Sequence, residues 1–339
     1  MLAAFVVTDA IIGRLEPPPT FTPLSDGLLA WDGSWFHRIA EQGYLEATDP
    51  AARFFPLFPL SGRWLGHLLG SSEFALVVIS NGCALLASIW LYRLVLSETG
   101  ETQTAERAVR LFALCPPAFV FVLAYSESLF IVMTLGAVLA GREGRWTRAG
   151  AFAFLAGLTR PVGVLLAVPL LVRLRTDGRL GDRTAWTAVG AAPLGSALFL
   201  GWSALALDDW RAPIERQREL RGGFHEPITR VASALVDGVR GDEGELFHFG
   251  AAIAVVVLAV VSIRRLSQDL AAYAVVSGVV LVAADNLNSM ARYALAVFPF
   301  VVAAAVISRH PRLDRWLPTA SAVGMVTVTT LALSGVYVP

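Results

Sequence analysis

Long apolar runs recur along this chain, at 74–96, 184–207, 247–263, 269–285, 293–308 and 317–337, and they decide what it can become. A helix of about 20 apolar residues crosses a bilayer. Inside lipid the backbone has to satisfy its own N–H and C=O groups, so these runs predict membrane-spanning helices. Two further regions read as hairpins of short helices. Residues 108–124 and 127–140 meet at Tyr125-Ser126-Glu127, and 146–158 and 162–174 meet at Thr159-Arg160-Pro161. Pro161 disfavours helix at the residue before it, and Arg160 is costly in lipid, so a bend at the water edge is expected there. Residues 1–13 are apolar and read as another span rather than a signal peptide, since no charged start or small-residue cleavage site accompanies them. The expectation is an all-α polytopic membrane protein of about eleven transmembrane helices, forming a single domain over 1–339. Composition agrees, because only 16% of residues are charged, against roughly 25% in soluble domains.

Charge sets the orientation. All 27 basic residues are Arg. With the N-terminus in the cytoplasm, the cytoplasmic loops carry fifteen Arg and eight acidic residues, and the outer loops twelve Arg and eighteen acids, with Asp9 inside the first segment. Short basic loops belong on the cytoplasmic side. The protein is therefore expected in the cell (plasma) membrane, with its polar motifs on the extracytoplasmic face. A formal net charge of zero gives no reason to expect nucleic acid. Cys83 and Cys115 lie in apolar segments without metal-ligand spacing and read as small core residues. Neither they nor any His-Glu-x-x-His pattern points to a metal.

Two long outer loops remain, 14–73 and 208–246. In the first, 31–44 and 55–69 carry apolar positions at helical spacing among Trp, Phe and Pro, and predict amphipathic helices lying in the interface. The second contains a possible helix near 226–240.

The chemistry gathers in these loops and in the outer turns. Asp32 stands between Trp31 and Trp35. It either caps the interfacial helix or serves as a general base in a partly dry pocket. His37, Arg38 and Glu41 follow on the same helix, where His37 and Glu41 have the spacing of a helical pair. Arg53 opens an aromatic, proline-set run, Phe54 to Leu60, which would anchor at the interface or place a guanidinium beside a phosphate or a sugar. Tyr125-Ser126-Glu127-Ser128 either caps the next helix or presents a polar cluster to a cavity. Arg160 and Arg292 occupy two separate outer turns, the second containing Asp285, Asn288 and Tyr293. A guanidinium matches phosphate oxygens in a bidentate way, although Arg292 could instead pair with Asp285. Asp208-Asp209 reads as a solvated loop.

In order along the chain, Trp31-Asp32 with Phe36, Ile39-Ala40-Glu41 and Gly43-Tyr44, then Phe54-Phe55-Pro56-Leu57-Phe58-Pro59-Leu60, then Pro116 with Tyr125-Ser126-Glu127-Ser128-Leu129-Phe130, then Arg160 in its turn, resemble the PIG-V family. That family includes eukaryotic GPI mannosyltransferase 2 enzymes and bacterial relatives, and this chain looks like a bacterial member. The resemblance runs from about residue 31 to 163. It departs from the family at one turn, where eukaryotic members tend to read Arg-Ser-Asn-Gly and this chain reads Arg160-Pro161-Val162-Gly163.

The resemblance implies a GT-C glycosyltransferase fold and a polyprenyl-phosphate-mannose donor used on the extracytoplasmic side. It also implies a base in the first outer loop, at the position of Asp32. The reaction then expected is transfer of mannose, with inversion, to a glycolipid, glycan or protein acceptor. Arg160, Arg292 and Arg53 would face the donor phosphate. His37, Trp31, Trp35, Tyr125, Ser126, Glu127 and Asn288 would hold the sugar or the acceptor. The arginines would stand in for a divalent ion, so no metal or other cofactor is expected. Two other readings are a transporter or flippase for a lipid-linked sugar, and a non-catalytic subunit of a glycosylation complex. The first predicts polar groups running through the membrane; here they collect on one face.

Overall fold

The structure, a computed structural model, describes Thr8 and residues 23–47, 49–223, 225–240, 243–284, 287 and 289–335. Residues 1–13, expected to be a span, lie outside the described residues apart from Thr8, as do Asp285 and Asn288. Fifteen α-helices are found among the described residues, with no strand.

The segment 14–73, among its described residues, holds α1 (Asp32–Gln42) and α2 (Leu57–Leu69). Both are amphipathic, as their apolar spacing predicts, and they pack on each other through Phe36, Ile39, Phe54 and Phe58. The chain then enters α3 (Ser72–Thr99), a helix of 28 residues. Ser71 caps its start by accepting from Phe74 N at 3.1 Å. Next come α4 (Thr102–Leu114), α5 (Glu127–Arg142), α6 (Trp146–Thr159), α7 (Ala167–Thr176) and α8 (Arg183–Ala206). The segment 208–246 contains α9 (Ala212–Arg221) and α10 (Pro227–Val239), the latter close to the expected 226–240. The last elements are α11 (Glu243–Arg265), α12 (Gln268–Val282), α13 (Met290–Ala296), α14 (Phe298–Ile307) and α15 (Pro311–Leu333).

Among the described residues four helices are long and apolar enough to cross a membrane: α3, α8, α11 over Phe247–Arg265, and α15. α13 and α14, bent by 86° at Val297, make a fifth if they form one broken span. The break has a local cause, because Pro299 in the first turn of α14 has no N–H to continue the ladder. The other apolar regions form shorter pieces. The run 108–124 is divided at Cys115, where Pro116 and Pro117 start a 3-10 turn, Pro116–Phe121. The run 162–174 is split between a 3-10 turn, Pro161–Leu166, and α7. α5 has 16 residues and α6 has 14, so each reaches only about 24 Å or less, against roughly 30 Å of hydrocarbon.

Close packing places the α5–α6 hairpin. α6 crosses α8 where small residues let the backbones approach, as membrane helices favour. A Cβ on Gly157 would lie 2.1 Å from the Ala192 carbonyl oxygen, and Ser196 Oγ donates to Gly157 O at 3.0 Å. The turn after α6 doubles back as tightly. Gly163 N donates to Arg160 O at 2.9 Å, and a Cβ on Gly163 would meet Ala156 O at 2.5 Å. That fold-back fixes the point from which Arg160 leaves the backbone.

Candidate active site

The carboxylate of Asp32 and the guanidinium of Arg292 are 260 residues apart in sequence and meet at 2.7 Å, Arg292 Nη1 donating to Asp32 Oδ2. Around this bond the structure gathers a chain of charges. Arg292 Nε lies 3.4 Å from Glu127 Oε1. Arg160 Nη1 lies 2.6 Å from the same oxygen and donates to Ser126 Oγ at 3.2 Å. On the other side, Arg53 Nη2 is 4.0 Å from Asp32 Oδ1. Three guanidiniums thus face two carboxylates, a local surplus of one positive charge.

Each member is delivered by a different device. Asp32 is the first residue of α1, so its charge sits at the positive end of the helix. The capping position falls one residue earlier, on Trp31, whose side chain does not cap. Instead Trp31 Nε1 donates to Ala332 O at 3.0 Å, tying α1 to the end of α15. Trp31 holds a positive φ of 61°, a conformation that costs a non-glycine residue about 1–3 kcal/mol and survives where its surroundings enforce it. Arg292 repeats the pattern. It stands in the first turn of α13, and the residue before that helix, Ser289, has φ 65°. Of the three non-glycine residues with positive φ among those described, two therefore precede the two halves of the central ion pair.

Glu127 opens α5 and Tyr125 precedes it by two residues. Ser126 occupies the capping position of α5 without a side-chain capping bond, and its hydroxyl faces Arg160 instead. Tyr125 Oη accepts from the backbone N–H of Asp32 at 3.3 Å. Burial, and after it the nearby Asp32 charge, pushes the Tyr125 phenol well above its ordinary range, so it stays protonated. Arg292 lies over the rings of Tyr125 and Tyr293, 5.1 and 4.9 Å from their centroids, and Arg160 stands 4.9 Å from that of Tyr293. Arg292 Nη2 also donates to Tyr293 Oη at 3.2 Å.

Burial separates the members. The side chains of Glu127 and Arg292 are each 1% exposed, those of Arg160 and Arg53 13% and 14%, and that of Asp32 26%. Neither oxygen of Glu127 reaches hydrogen-bond geometry with another group among the described residues, so its pairing with the two arginines is coulombic. Glu127 lies at the back of the cluster and Asp32 at its mouth. Trp35 forms part of the rim, with Arg38 and Arg53 at 5.0 and 5.6 Å from its ring. Arg53 also lies over Phe54, at 4.6 Å. This run is held in place by Tyr44, whose hydroxyl donates to Phe54 O at 2.7 Å while its ring packs on Phe199 and Trp202 of α8.

The sequence candidates thus divide. Asp32, Arg53, Tyr125, Ser126, Glu127, Arg160 and Arg292 come together, with Trp35 at the edge. Trp31 serves as the joint to α15. His37 faces another neighbour: its Nδ1 is 3.1 Å from Ser72 Oγ, and the Ser72 hydroxyl also donates to Glu41. His37 and Glu41 therefore meet through α3 rather than only along α1. Asn288 and the alternative partner Asp285 lie outside the described residues. Sequence reasoning missed Tyr293 as a site residue, and its position next to Arg292 was the available signal. Among the described residues no three His, Cys, Asp or Glu side chains are grouped as metal ligands would be.

Residues 21–173 match a sequence profile of the family described as Mannosyltransferase (PIG-V). GPI mannosyltransferase 2 of Yarrowia lipolytica (strain CLIB 122 / E 150) is 26% identical over 194 residues, which are 54% of this chain and 53% of that protein. GPI alpha-1,6-mannosyltransferase 2 of Homo sapiens is 33% identical over 186 residues, 50% of this chain and 37% of the human protein. GPI mannosyltransferase pigv-1 of Caenorhabditis elegans is 31% identical over 124 residues, 32% of this chain and 18% of the relative. The chain spans about half or less of the length of these curated relatives. The matching segment supplies every member of the charged cluster except Arg292 and Tyr293, so the likeness to the mannosyltransferase (PIG-V) family falls on the site itself.

Proposed function

We propose that this chain is a multi-pass mannosyltransferase of the GT-C type that moves mannose from a polyprenyl-phosphate-mannose donor to an extracytoplasmic glycolipid, glycan or protein acceptor. The observation that carries this reading is the ion-paired chain Arg53–Asp32–Arg292–Glu127–Arg160, with its one accessible carboxylate at the mouth. In this reading the eleven-span layout and the cytoplasmic N-terminus place that mouth on the outer face of the plasma membrane, with the donor's isoprenoid chain in lipid.

Asp32 takes the proton from an acceptor hydroxyl as that oxygen attacks the anomeric carbon. The bond from that carbon to the phosphate oxygen breaks on the opposite face, so the configuration inverts. The leaving group is a lipid phosphate and departs without a proton donor. Its charge is met by guanidiniums in a site of low dielectric, where fixed charges act strongly. Arg160 and Arg53 are the arginines a phosphate can reach. Arg292, buried, acts by holding and balancing Asp32, and Glu127 balances Arg160 and Arg292 in turn. Positive charge from arginine takes the place of a divalent ion in this scheme. Tyr125, Ser126 and Trp35 lie where they can line the sugar.

Purified protein incubated with a synthetic polyprenyl-phosphate-mannose and membrane acceptors tests the proposal. Asp32→Asn should slow mannose transfer by about 10²–10⁴-fold, the usual worth of a general base, while the protein remains folded. Transfer by Asp32→Asn at the wild-type rate would overturn it.

A further inference from the structure

A polar cavity of about 400 Å3 lies in the segment 208–246 and is lined by His225, Thr229, Arg230, Ser233, Asp237 and Glu245. Thr229, Ser233 and Asp237 recur every four residues on one face of α10, and so form a polar stripe. Arg230, on its lining, holds Glu245 in a mostly buried ion pair, with Nη1 and Nη2 both 3.1 Å from Glu245 Oε2.

The opposite face of α10 ties the cavity to the charged cluster. Ala234 belongs to the same buried apolar group as Ala252, Val282, Leu287 and Met290. Met290 opens the helix that carries Arg292. His225 N donates to Ala283 O at 2.9 Å, just after α12. The cavity therefore stands on the same end of the α11–α12 pair as Arg292.

Its chemistry differs from that of the cluster. Arg230 pairs with Glu245, and Arg240 Nη1 lies 3.8 Å from Asp237 Oδ1, so two guanidiniums meet two carboxylates and no positive surplus remains. The hydroxyl protons of the stripe are already committed. Thr229 Oγ1 donates to Glu226 O at 2.9 Å and Ser233 Oγ to Arg230 O at 2.8 Å. Each oxygen keeps acceptor capacity, of which Ser233 lends part to Arg230 Nη1 at 3.4 Å. The wall thus offers acceptors and no surplus of positive charge, whereas the Asp32 cluster carries one.

We infer that this cavity binds the uncharged, hydroxyl-rich head group of the acceptor, leaving the phosphate of the donor to the arginine cluster. The assignment of that ligand to the acceptor rests on the transfer reading above. The fit to a donor-rich ligand does not.

Two measurements on the full chain in nanodiscs separate these points. Methyl α-mannoside at millimolar concentration should slow amide hydrogen exchange across 225–239, and inorganic phosphate should not. An absence of protection by the glycoside, or equal protection by phosphate, overturns the inference even if the protein proves to have no transferase activity. In the transfer assay, Ser233→Ala combined with Asp237→Asn should raise the acceptor KM about tenfold, the effect of losing one or two hydrogen bonds, with kcat and the donor KM unchanged. An unchanged acceptor KM overturns it too. Loss of transfer by the wild type alone would instead sink the function proposed above.

Discussion

The two ends of α5 both carry buried ions, and they behave differently. At its start, Glu127 faces Arg160 and Arg292, with Asp32 and Arg53 beyond. At its end, Arg142 is gripped by two acids. Its Nε and Nη2 donate to Asp269 Oδ2 and Oδ1, both at 2.9 Å, and its Nη1 to Glu98 Oε2 at 2.8 Å. Ser267 closes the remaining gap, since its hydroxyl contacts Arg142 and its backbone N–H donates to Glu98. Here every ion is satisfied and nearly buried, so nothing remains to bind a ligand. The Glu127 end has a surplus of positive charge, two carboxylate oxygens without hydrogen bonds and one exposed acid. Buried charge alone therefore does not mark a site. An incomplete set of partners, open at one edge, does.

Breaking the two ends should produce opposite phenotypes. Asp32→Asn gives the largest effect, the loss in transfer stated above, with the thermal unfolding midpoint close to that of wild type. Arg142→Gln should do the reverse. It leaves Glu98 and Asp269 buried without their cation, which costs about 3–5 kcal/mol. The unfolding midpoint should fall markedly while turnover per folded molecule stays near wild type. A full loss of turnover in folded Arg142→Gln protein would show that the two ends are not separate in function.

Arg160→Lys sharpens the contrast within the site. Lysine keeps the charge but not the planar guanidinium, which contacts Ser126 and Glu127 through Nη1 alone and carries further N–H donors on its other nitrogens. The donor KM should rise about tenfold, the effect of one charge-assisted hydrogen bond, with a smaller change in kcat. The smallest effect is expected far from both ends. Ser71→Ala removes the cap of α3 and should lower stability by about 1 kcal/mol, measurable as a small drop in the unfolding midpoint with unchanged kinetics.

Much of this molecule was legible in the chain. The apolar runs located α3, α8, α11 and α15, and the amphipathic spacing of 31–44 and 55–69 located α1 and α2. Asp32, Arg53, Glu127, Arg160 and Arg292 could be picked out because an ionisable group beside a membrane segment is costly unless it has a use. Other features were not legible. Where 108–124 breaks depends on how Pro116 and Pro117 pack, and hydropathy does not register it. His37 looked equivalent to the cluster residues, yet its partner on α3 draws it toward Ser72. Arg292 had a plausible partner close by in sequence, and its bond to Asp32, 260 residues away, could not be read from that stretch.

The sequence by itself determined that the chain is helical, that it has the apolar helices of a membrane protein and which residues bear charge near the ends of those helices. These follow from side-chain polarity and period, which are local properties. Only the tertiary structure decided which acid meets which arginine, that Glu127 is enclosed while Asp32 is open, and that Trp31 and Ser289 hold left-handed backbone to aim the pair. Such pairings depend on the relative position of helices far apart in the chain. That position is set by close packing, such as Gly157 against Ala192, whose geometry no single stretch of residues contains.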